Sequence, residues 1–382
     1  MWHERLRYFE AKNNVLVETI REFAEIESPS DHKPSADRMG RLLAQRFEAV
    51  GGRARLHRAE EFGDNLQIDF PGPGDTGENT KPVLLLGHFD TVYPLGTLAK
   101  MPCRIADGKL YGPGVLDMKS GIALILFSIQ ALQFWHGALP RPLTVFLVSD
   151  EEVGSRSSRA TTEALAKESA AVLVLEPAGP GGAVKTARKG VGDYTLTVTG
   201  VAAHAGLDPG KGHSAIVELA RQINVIHKLN DLRHGLSVNP GVIHGGTRTN
   251  VIAAEAAVEI DVRIKIAKQA TALDRRLRAL KPFDRHCKLH IEGGINRLPM
   301  ERSPGVVALY KKAKSIASQI DWKLEEAAVG GGSDGNFTAA LGIPTLDGMG
   351  GAGAGAHALH EHIEIAELPR RALLLACMIE SA

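Results

Sequence analysis

The chain has 382 residues, which is long for one domain and favours two or more. Its composition, 44% hydrophobic and 23% charged, is that of a globular protein, and its net charge of +1 excludes an overall field that attracts nucleic acid or an anionic membrane. Three separated cysteines, Cys103, Cys287 and Cys377, have no paired metal spacing and are expected to be buried thiols in a reducing compartment. We expect no signal peptide and no membrane span, and hence a cytoplasmic protein.

The first part of the chain alternates predicted helices with buried strands. Helices are predicted at residues 15–26, 36–50 and 120–134. Apolar runs without polar alternation predict strands of a parallel sheet at residues 83–86, 143–148 and 171–175. This order of elements indicates a doubly wound α/β sheet with crossover helices.

The pattern changes after residue 189 and returns near residue 297. In the middle part, residues 194–199 and 256–264 alternate apolar with polar side chains, which is typical of a sheet with one solvated face. The predicted order is strand 194–199, helix 213–229, strand 236–243, strand 256–264, helix 270–280 and strand 287–292. The order βαββαβ is that of a ferredoxin-like sandwich. We therefore predict a discontinuous α/β domain, residues 1–188 and 297–382, interrupted by an inserted domain, residues 189–296.

The last part returns to α/β character, with helix 304–319, a short strand 344–346 and helix 369–379. A glycine-rich segment, residues 348–356, lies between the last two elements. Such a segment is either a flexible linker or a loop where backbone approaches a ligand. Because His357 follows it directly, we favour a loop at an active site.

Side chains of the types that bind metals follow several of the buried runs. They are His88, Asp90, Asp117, Glu151, Glu152 and Glu176. In open α/β sheets ligands bind beyond the carboxyl ends of the strands, so residues from separate strands can converge there. One imidazole with several carboxylates suits zinc or another divalent ion.

Each residue also has an ordinary structural explanation. His88 could be a buried histidine at a strand end, Asp117 a helix cap and Glu176 a loop carboxylate. The acids at 150–152 could form a solvated turn, but three carboxylates crowded after a buried run repel one another and favour a cation. Asp90 is better suited to accept a hydrogen bond from the ring of His88 than to bind metal itself.

Motifs along the chain carry a resemblance to a known family. In order they are GHFDTV, GPGVLDMKSG, SDEEVGS, LEP, ARKGVGDYTLTVTGVAAHAG, TNVIAA, DVRI, GGGSDGNF and GAHALHEH. Together they resemble the M20 family of dinuclear zinc peptidases over essentially the whole chain, and within it the folate-hydrolysing glutamate carboxypeptidases. The resemblance implies a catalytic α/β domain with an inserted ferredoxin-like dimerisation domain, and a homodimer.

The resemblance also implies roles for individual residues. One zinc would be held by His88, Asp117 and Glu176, and the other by Asp117, Glu152 and His357. Glu151 matches the general base and Asp90 the partner of His88, although the sequence alone leaves Glu151 and Glu152 undecided. The last histidine ligand of the family usually stands four residues before a glutamate. His357 stands four residues before Glu361 and is therefore preferred, with His360 as the alternative.

Further residues match positions that contact substrate in the family. The resemblance implies that His204 reaches the active site of the other subunit and donates to the developing oxyanion. It also implies that Asn250 and Arg297 hold the free carboxylate of the substrate. Arg297 departs from the family pattern, because NRLPM lacks the usual arginine-proline pair. The backbone of Gly330, Gly331, Gly332 and Ser333 would line the same pocket.

These observations predict a hydrolase with two divalent ions, Zn²⁺ with Co²⁺ or Mn²⁺ as alternatives. Its reaction would be cleavage of an amide bond next to a free carboxylate in N-acyl amino acids or short peptides, as in glutamate carboxypeptidase. The alternatives are an aminoacylase, a dipeptidase or a succinyl-diaminopimelate desuccinylase, or a metal-free binding protein. A nucleotide-dependent enzyme is disfavoured because no strand is followed by G-x-G-x-x-G or G-x-x-x-x-G-K-[ST] before a helix.

Overall fold

The computed structural model describes residues 1–72 and 81–381. The chain forms two compact units. Unit 1 contains Met1–Ala187, Arg302–Val329 and Ser333–Ala382, and unit 2 contains Arg188–Glu301 and Gly330–Gly332. Unit 2 is therefore an insertion in the chain of unit 1.

The helices of unit 1 lie both before and after the inserted unit 2 in the sequence. They are α1 (Trp2–Ala24), α2 (Lys33–Glu48), α3 (Ser120–His136), α4 (Arg159–Lys167), α7 (Pro304–Ser318), α8 (Gly335–Ala340) and α9 (Leu368–Ser381), while α5 (Ala215–His227) and α6 (Ala267–Arg278) belong to unit 2. Helix α1 begins well before the predicted residue 15, because Phe9 continues its buried face. The charged side chains of this first segment lie on the other faces, and Arg5 pairs with Glu380 of α9 at 2.7 Å.

The strands of unit 1 form a central sheet with smaller sheets around it. They are β1 (Arg53–His57), β2 (Asn65–Phe70), β3 (Val83–His88), β4 (Arg104–Ala106), β5 (Lys109–Tyr111), β6 (Leu143–Val148), β7 (Ala171–Val174), β8 (Val184–Arg188), β13 (Glu326–Val329), β14 (Thr345–Leu346), β15 (Gly353–Ala354) and β16 (His362–Glu364). The central sheet has the order β1-β2-β6-β3-β7-β14. Its four strands β6, β3, β7 and β14 are parallel and fully buried, as predicted for β3, β6 and β7. The antiparallel strands β1 and β2 extend it at one edge and were not predicted.

Helix α3 is the central helix of unit 1. The segment Val115–His136 is long and apolar enough to cross a membrane, although no membrane span is predicted from the sequence. However, 89% of its apolar window is buried inside the protein. It packs against α1 and α9, so its hydrophobicity is that of a core helix.

Unit 2 is an antiparallel sheet covered by helices on one face. Its elements are β9 (Gly190–Thr199), α5 (Ala215–His227), β10 (Ser237–Gly245), β11 (Glu255–Ile264), α6 (Ala267–Arg278) and β12 (Lys288–Arg297). The sheet order β10-β11-β9-β12 with antiparallel neighbours is that of a ferredoxin-like sandwich. Side chains of β9 and β11 alternate between buried and less buried positions, as their sequence pattern predicted. The predicted mixed α/β fold with a ferredoxin-like insertion is therefore confirmed.

Candidate active site

Polar residues at the ends of three neighbouring strands meet at one edge of the sheet in unit 1. Strands β6, β3 and β7 are adjacent and parallel, so their carboxyl ends lie at the same edge. His88 is the last residue of β3, residues 150–152 follow β6, and Glu176 follows β7. His88 and Glu176 are 1% and 7% exposed, so both polar groups are buried and need partners.

Asp117 lies between two histidines. Its Oδ1 is 3.1 Å from Nε2 of His88, and its Oδ2 is 3.2 Å from Nε2 of His357. The same nitrogen of His88 is 3.5 Å from Oε1 of Glu176, and that of His357 is 3.3 Å from Oε1 of Glu152. Five of the predicted site residues therefore form two groups of three that share Asp117.

Asp90 links His88 to the acidic turn after β6. Nδ1 of His88 lies 3.0 Å from the backbone oxygen of Asp90 and 3.4 Å from its carboxylate. The fully buried carboxylate of Asp90 accepts hydrogen bonds from the hydroxyl of Ser30 at 2.6 Å and from the backbone N–H of Glu152 at 3.2 Å. With the proton of His88 on Nδ1, the lone pair of Nε2 faces Asp117 and Glu176.

The two neighbouring glutamates of the acidic turn occupy different positions. The backbone N–H of Glu151 donates to Asp90 at 3.3 Å, and that of Glu152 donates to the same carboxylate. The carboxylate of Glu152 faces His357, whereas Glu151 belongs to neither group of three among the described residues. This arrangement separates the two glutamates in a way that the sequence alone does not.

Glu361 organises the loop that carries Asp117. Its side chain is fully buried and accepts hydrogen bonds from the backbone N–H groups of Gly114, Leu116 and Asp117 at 3.1, 2.7 and 2.9 Å. The hydroxyl of Tyr93 donates to the same carboxylate at 2.6 Å. In the sequence Glu361 is notable only for its spacing from His357, and nothing in its sequence context predicts these contacts.

The glycine-rich segment before His357 is packed against the strand ends. A Cβ atom on Gly350 would lie 2.1 Å from the backbone oxygen of Leu175, so only glycine fits there. The fully buried guanidinium of Arg371 donates to the backbone oxygens of Gly350 and Gly348. His357 itself has φ of 64°, a left-handed conformation that is uncommon outside glycine and that occurs at functional sites.

The other two histidines of the AHALHEH motif lie elsewhere. His360 is exposed and is in neither group around Asp117 among the described residues. His362 is buried, its Nδ1 contacts the backbone oxygen of His360 at 2.9 Å, and its ring packs on Tyr111 at 5.1 Å. Of the three histidines, His357 is the one that contacts Asp117.

Mutual contacts determine how these groups titrate in the metal-free protein. Burial opposes the charge on His88, but hydrogen bonds to Asp117 and two other carboxylates raise its pKa well above the usual value. Hydrogen bonds to Asp117 and Glu152 raise the pKa of His357 to about 10. Burial also opposes ionisation of Asp117, but its bonds to the two histidines lower its pKa overall. Burial raises the pKa of Glu152.

The donor set fits two divalent cations. Two imidazole nitrogens and three carboxylates converge, and nitrogen and oxygen donors of this kind suit zinc and similar ions. Oε1 of Glu152 is buried and lies 3.3 Å from Nε2 of His357. A buried carboxylate is costly unless it has a positive partner, and a cation held by Asp117, Glu152 and His357 would supply one.

His204 lies in unit 2, on an exposed loop after β9. Its Nδ1 accepts hydrogen bonds from the backbone N–H groups of Gly206 and Leu207, both at 3.1 Å. Because Nδ1 is an acceptor, a neutral ring carries its proton on Nε2 and can donate it outward. The exposed Asn250 lies on the adjacent loop, where its backbone oxygen accepts from Ala205 at 3.0 Å.

The remaining predicted residues are partly engaged in internal contacts. Arg297 ends β12, is 6% exposed and donates to the side chain of Asn296 at 3.0 Å. The backbone oxygens of Gly331 and Gly332 accept from the guanidinium of Arg188, at 3.2 and 3.0 Å. The neighbouring Gly330 is in unit 2 as well.

Ser333 belongs to unit 1 and is fully buried. Its hydroxyl donates to Asp347 at 2.6 Å, and it also accepts from the backbone N–H of Gly335 at 3.1 Å. The Ser333 side chain therefore stabilises the turn into α8.

Comparison with known proteins shows where this chain belongs. Residues 84–381 match the model of the family described as "Peptidase family M20/M25/M40". The chain is 29% identical over 374 residues to carboxypeptidase G2 of Pseudomonas sp. (strain RS-16), covering 96% of this chain and 88% of the relative. It is 29% identical over 369 residues to succinyl-diaminopimelate desuccinylase of Verminephrobacter eiseniae, covering 86% and 87%.

Solved structures show the same fold. The crystal structure of aminopeptidase PepT from Bacillus cereus matches with a TM-score of 0.79 and 23% identity, covering 96% of this chain and 98% of that one. The matched family model spans most of the chain, including the residues of both groups around Asp117. The chain therefore belongs to peptidase family M20/M25/M40 and is a hydrolase of this family of divalent-metal enzymes.

Proposed function

We propose that this hydrolase cleaves an amide bond next to a free carboxylate, releasing a carboxyl-terminal amino acid from N-acyl amino acids or short peptides. The observation that carries the proposal is the sharing of Asp117 between two groups of three ligands, with Glu151 beside them on the acidic turn. The similarity to carboxypeptidase G2 along 96% of the chain supports the carboxypeptidase class of substrate.

The two groups would hold two divalent ions, which we propose to be Zn²⁺, with Co²⁺ or Mn²⁺ as alternatives. His88, Asp117 and Glu176 would hold one ion, and Asp117, Glu152 and His357 the other. Such a pair of ions supplies Lewis-acid polarisation of a carbonyl and a water of lowered pKa. The backbone oxygen of Asp90 accepts from Nδ1 of His88, which orients the ring so that Nε2 can bind the ion once its proton is displaced.

Glu151 acts as the general base in this mechanism. Its carboxylate takes the proton from the attacking water and transfers it to the leaving amide nitrogen. The backbone bond from Glu151 to Asp90 holds the base on the turn that also carries Glu152. His204 donates from Nε2 to the oxyanion, and Asn250 and Arg297 bind the free carboxylate of the substrate, next to the backbone of Gly330–Gly332.

We propose that residues 189–296 form a dimerisation domain through which each subunit supplies His204 to the other. Strand β10 is an edge strand of its sheet. Its Val242 and Ile243 are 44% and 57% exposed, and Ile216 and Val217 at the start of α5 are also exposed. An apolar edge strand beside an apolar helix face is a surface that a second copy can cover with twofold symmetry.

We also propose a cytoplasmic location. The three cysteines Cys103, Cys287 and Cys377 are free thiols, two of them buried, as in proteins of reducing compartments.

A release assay tests the substrate class. Purified protein loaded with Zn²⁺, Co²⁺ or Mn²⁺ is given N-acyl glutamates, other N-acyl amino acids, N-succinyl diamino acids and dipeptides, and Glu151→Gln serves as the inactive control. The proposal predicts the fastest release from N-acyl glutamates. Hydrolysis confined to N-succinyl substrates would instead support the second candidate, a desuccinylase, which the 29% identity to such an enzyme favours. Hydrolysis confined to dipeptides would contradict both.

A further inference from the structure

A second kind of polar cluster lies in unit 2, apart from every residue used above. His213 lies two residues before α5, and Asp284 and His286 lie in the turn between α6 and β12. Nδ1 of His213 is 2.7 Å from one oxygen of Asp284, and Nδ1 of His286 is 3.1 Å from the other. The two imidazole rings lie face to face, with centroids 3.9 Å apart and planes inclined by 30°.

Buried groups hold the turn that carries Asp284. The carboxylate of Glu218 on α5 is 1% exposed and accepts from the backbone N–H groups of Phe283 and Asp284, both at 3.0 Å. The side chain of Gln222, one helical turn later, donates to the backbone oxygen of Lys281 at 2.9 Å. The position of Asp284 relative to α5 is therefore set by the core and not by the histidines.

The backbone of His213 is fixed independently. Its N–H donates to the oxygen of Val201, and its oxygen accepts from the N–H of Val201, each at 2.9 Å. His286 is tied to the same turn because its backbone N–H donates to Asp284 at 3.0 Å. The backbone of His213 and of Asp284 is thus ordered by groups that are not proposed ligands, which lowers the entropic cost of binding an ion.

We propose that His213, Asp284 and His286 bind a divalent transition-metal ion at a site separate from the active site. One ligand atom from each residue lies within 4.8 Å of the others. Ligands at the usual ~2.0–2.2 Å from zinc lie about 3–3.5 Å from one another, so small side-chain rotations suffice. Two imidazoles and one carboxylate select zinc, nickel, cobalt or copper over calcium and magnesium.

The ion would connect two parts of unit 2 that are far apart in sequence. His213 and Asp284 are separated by 71 positions, and the ion would join the start of α5 to the turn before the edge strand β12. Three protein ligands leave a coordination position for water, and the exposed His286 gives access from solvent. Binding to the folded state alone should also raise the thermal unfolding temperature.

Metal titration of the full chain tests this site. Wild type, His286→Ala and Asp284→Asn are stripped of metal, titrated with Zn²⁺ and compared by elemental analysis and by competition with a chromophoric chelator. The matched control is His234→Ala, because His234 pairs alone with Asp231 at 2.7 Å in the same unit. We expect wild type and control to bind one Zn²⁺ more than the two variants. In His286→Ala and Asp284→Asn the affinity for that ion should fall ~10–100-fold or more.

The test compares the number of Zn²⁺ ions bound by wild type with the number bound by each variant. Ions in the active site are present in all of these proteins, so they do not affect the difference. Histidine-selective NMR of the wild type gives a second measurement that needs no variant, since Zn²⁺ should shift the ring signals of both His213 and His286. Equal Zn²⁺ binding in all four proteins, or ring signals of these two histidines unchanged at saturating Zn²⁺, would overturn the proposal.

Discussion

The carboxylate of Glu361 accepts a hydrogen bond from the backbone N–H of Asp117 at 2.9 Å. Glu361 stands four residues after His357, so one buried side chain connects the loop of the shared aspartate to the loop of the last histidine. Metal sites depend on such outer contacts to orient their ligands. The geometry around Asp117 therefore rests on a residue that contacts neither proposed ion.

Replacing Glu361 by Gln should weaken metal binding without removing a ligand. An amide group has one acceptor oxygen and would point N–H donors at the backbone N–H groups of Gly114 or Leu116. We expect a loss of about 10–100-fold in metal affinity, measured by chelator competition. Tyr93→Phe is the matched control, because it removes one donor and leaves the carboxylate, and its loss should be smaller. An unchanged affinity in Glu361→Gln would show that Asp117 is held by other contacts.

The two glutamates of the acidic turn should respond differently to the same substitution. Glu151→Gln removes the proposed base and not a ligand, so turnover should fall by ~10²-fold or more while metal content stays near wild type. Glu152→Gln removes a carboxylate that faces His357, so metal content should fall along with activity. Turnover numbers and elemental analysis of both variants check this. If metal content falls in Glu151→Gln and not in Glu152→Gln, the two roles must be exchanged.

Complementation between inactive subunits tests the role of His204 across a dimer. His204→Ala should lower turnover by roughly 10²-fold, as expected for one lost oxyanion donor. After exchange with Glu151→Gln subunits, each mixed dimer has one site with an intact Glu151 and a His204 from its neighbour. Random exchange should therefore restore about a quarter of wild-type activity. Mass analysis must show the mixed dimers, and no recovery in their presence means that His204 does not act between subunits.

Metal binding should release protons and tighten as pH rises. Hydrogen bonds to Asp117 and Glu152 raise the pKa of His357 to about 10 in the metal-free protein, so the ring is protonated at neutral pH. An ion must displace that proton, so affinity at this group should rise by up to about tenfold per pH unit between roughly pH 7 and 10. Calorimetry in buffers of different ionisation enthalpy measures the released protons. Metal binding to His357→Ala should release fewer protons than metal binding to wild type. Equal release by the two proteins would show that the proton comes from another group.

The sequence predicts the buried parts of the fold better than its edges. Unbroken apolar runs mark β3, β6 and β7 because these strands are covered on both faces. Strand β1, with the sequence RARLH, has mostly exposed side chains at the sheet edge and therefore carries no apolar signal. The charged start of α1 was missed for a similar reason, since one buried face is enough to hold the helix.

Some residues of the candidate active site can be predicted from the sequence, and others cannot. Side chains after strand ends point to His88 and Glu176, and the family resemblance supplies the pairing with Asp117 and His357. The contacts of Glu361 could not be predicted, because its partners are mainly backbone N–H groups that leave no mark in the sequence.

Metal content of Asp117→Ala compared with His357→Ala tests the shared ligand most directly. Both variants are made in the His286→Ala background, so that an ion in unit 2 is not counted, and His360→Ala in the same background is the control. Because Asp117 belongs to both groups, Asp117→Ala should lose both ions and all activity. His357→Ala should retain the ion of His88 and Glu176, and His360→Ala should retain both. One tightly bound ion in Asp117→Ala, or loss of an ion in His360→Ala but not in His357→Ala, would contradict the account.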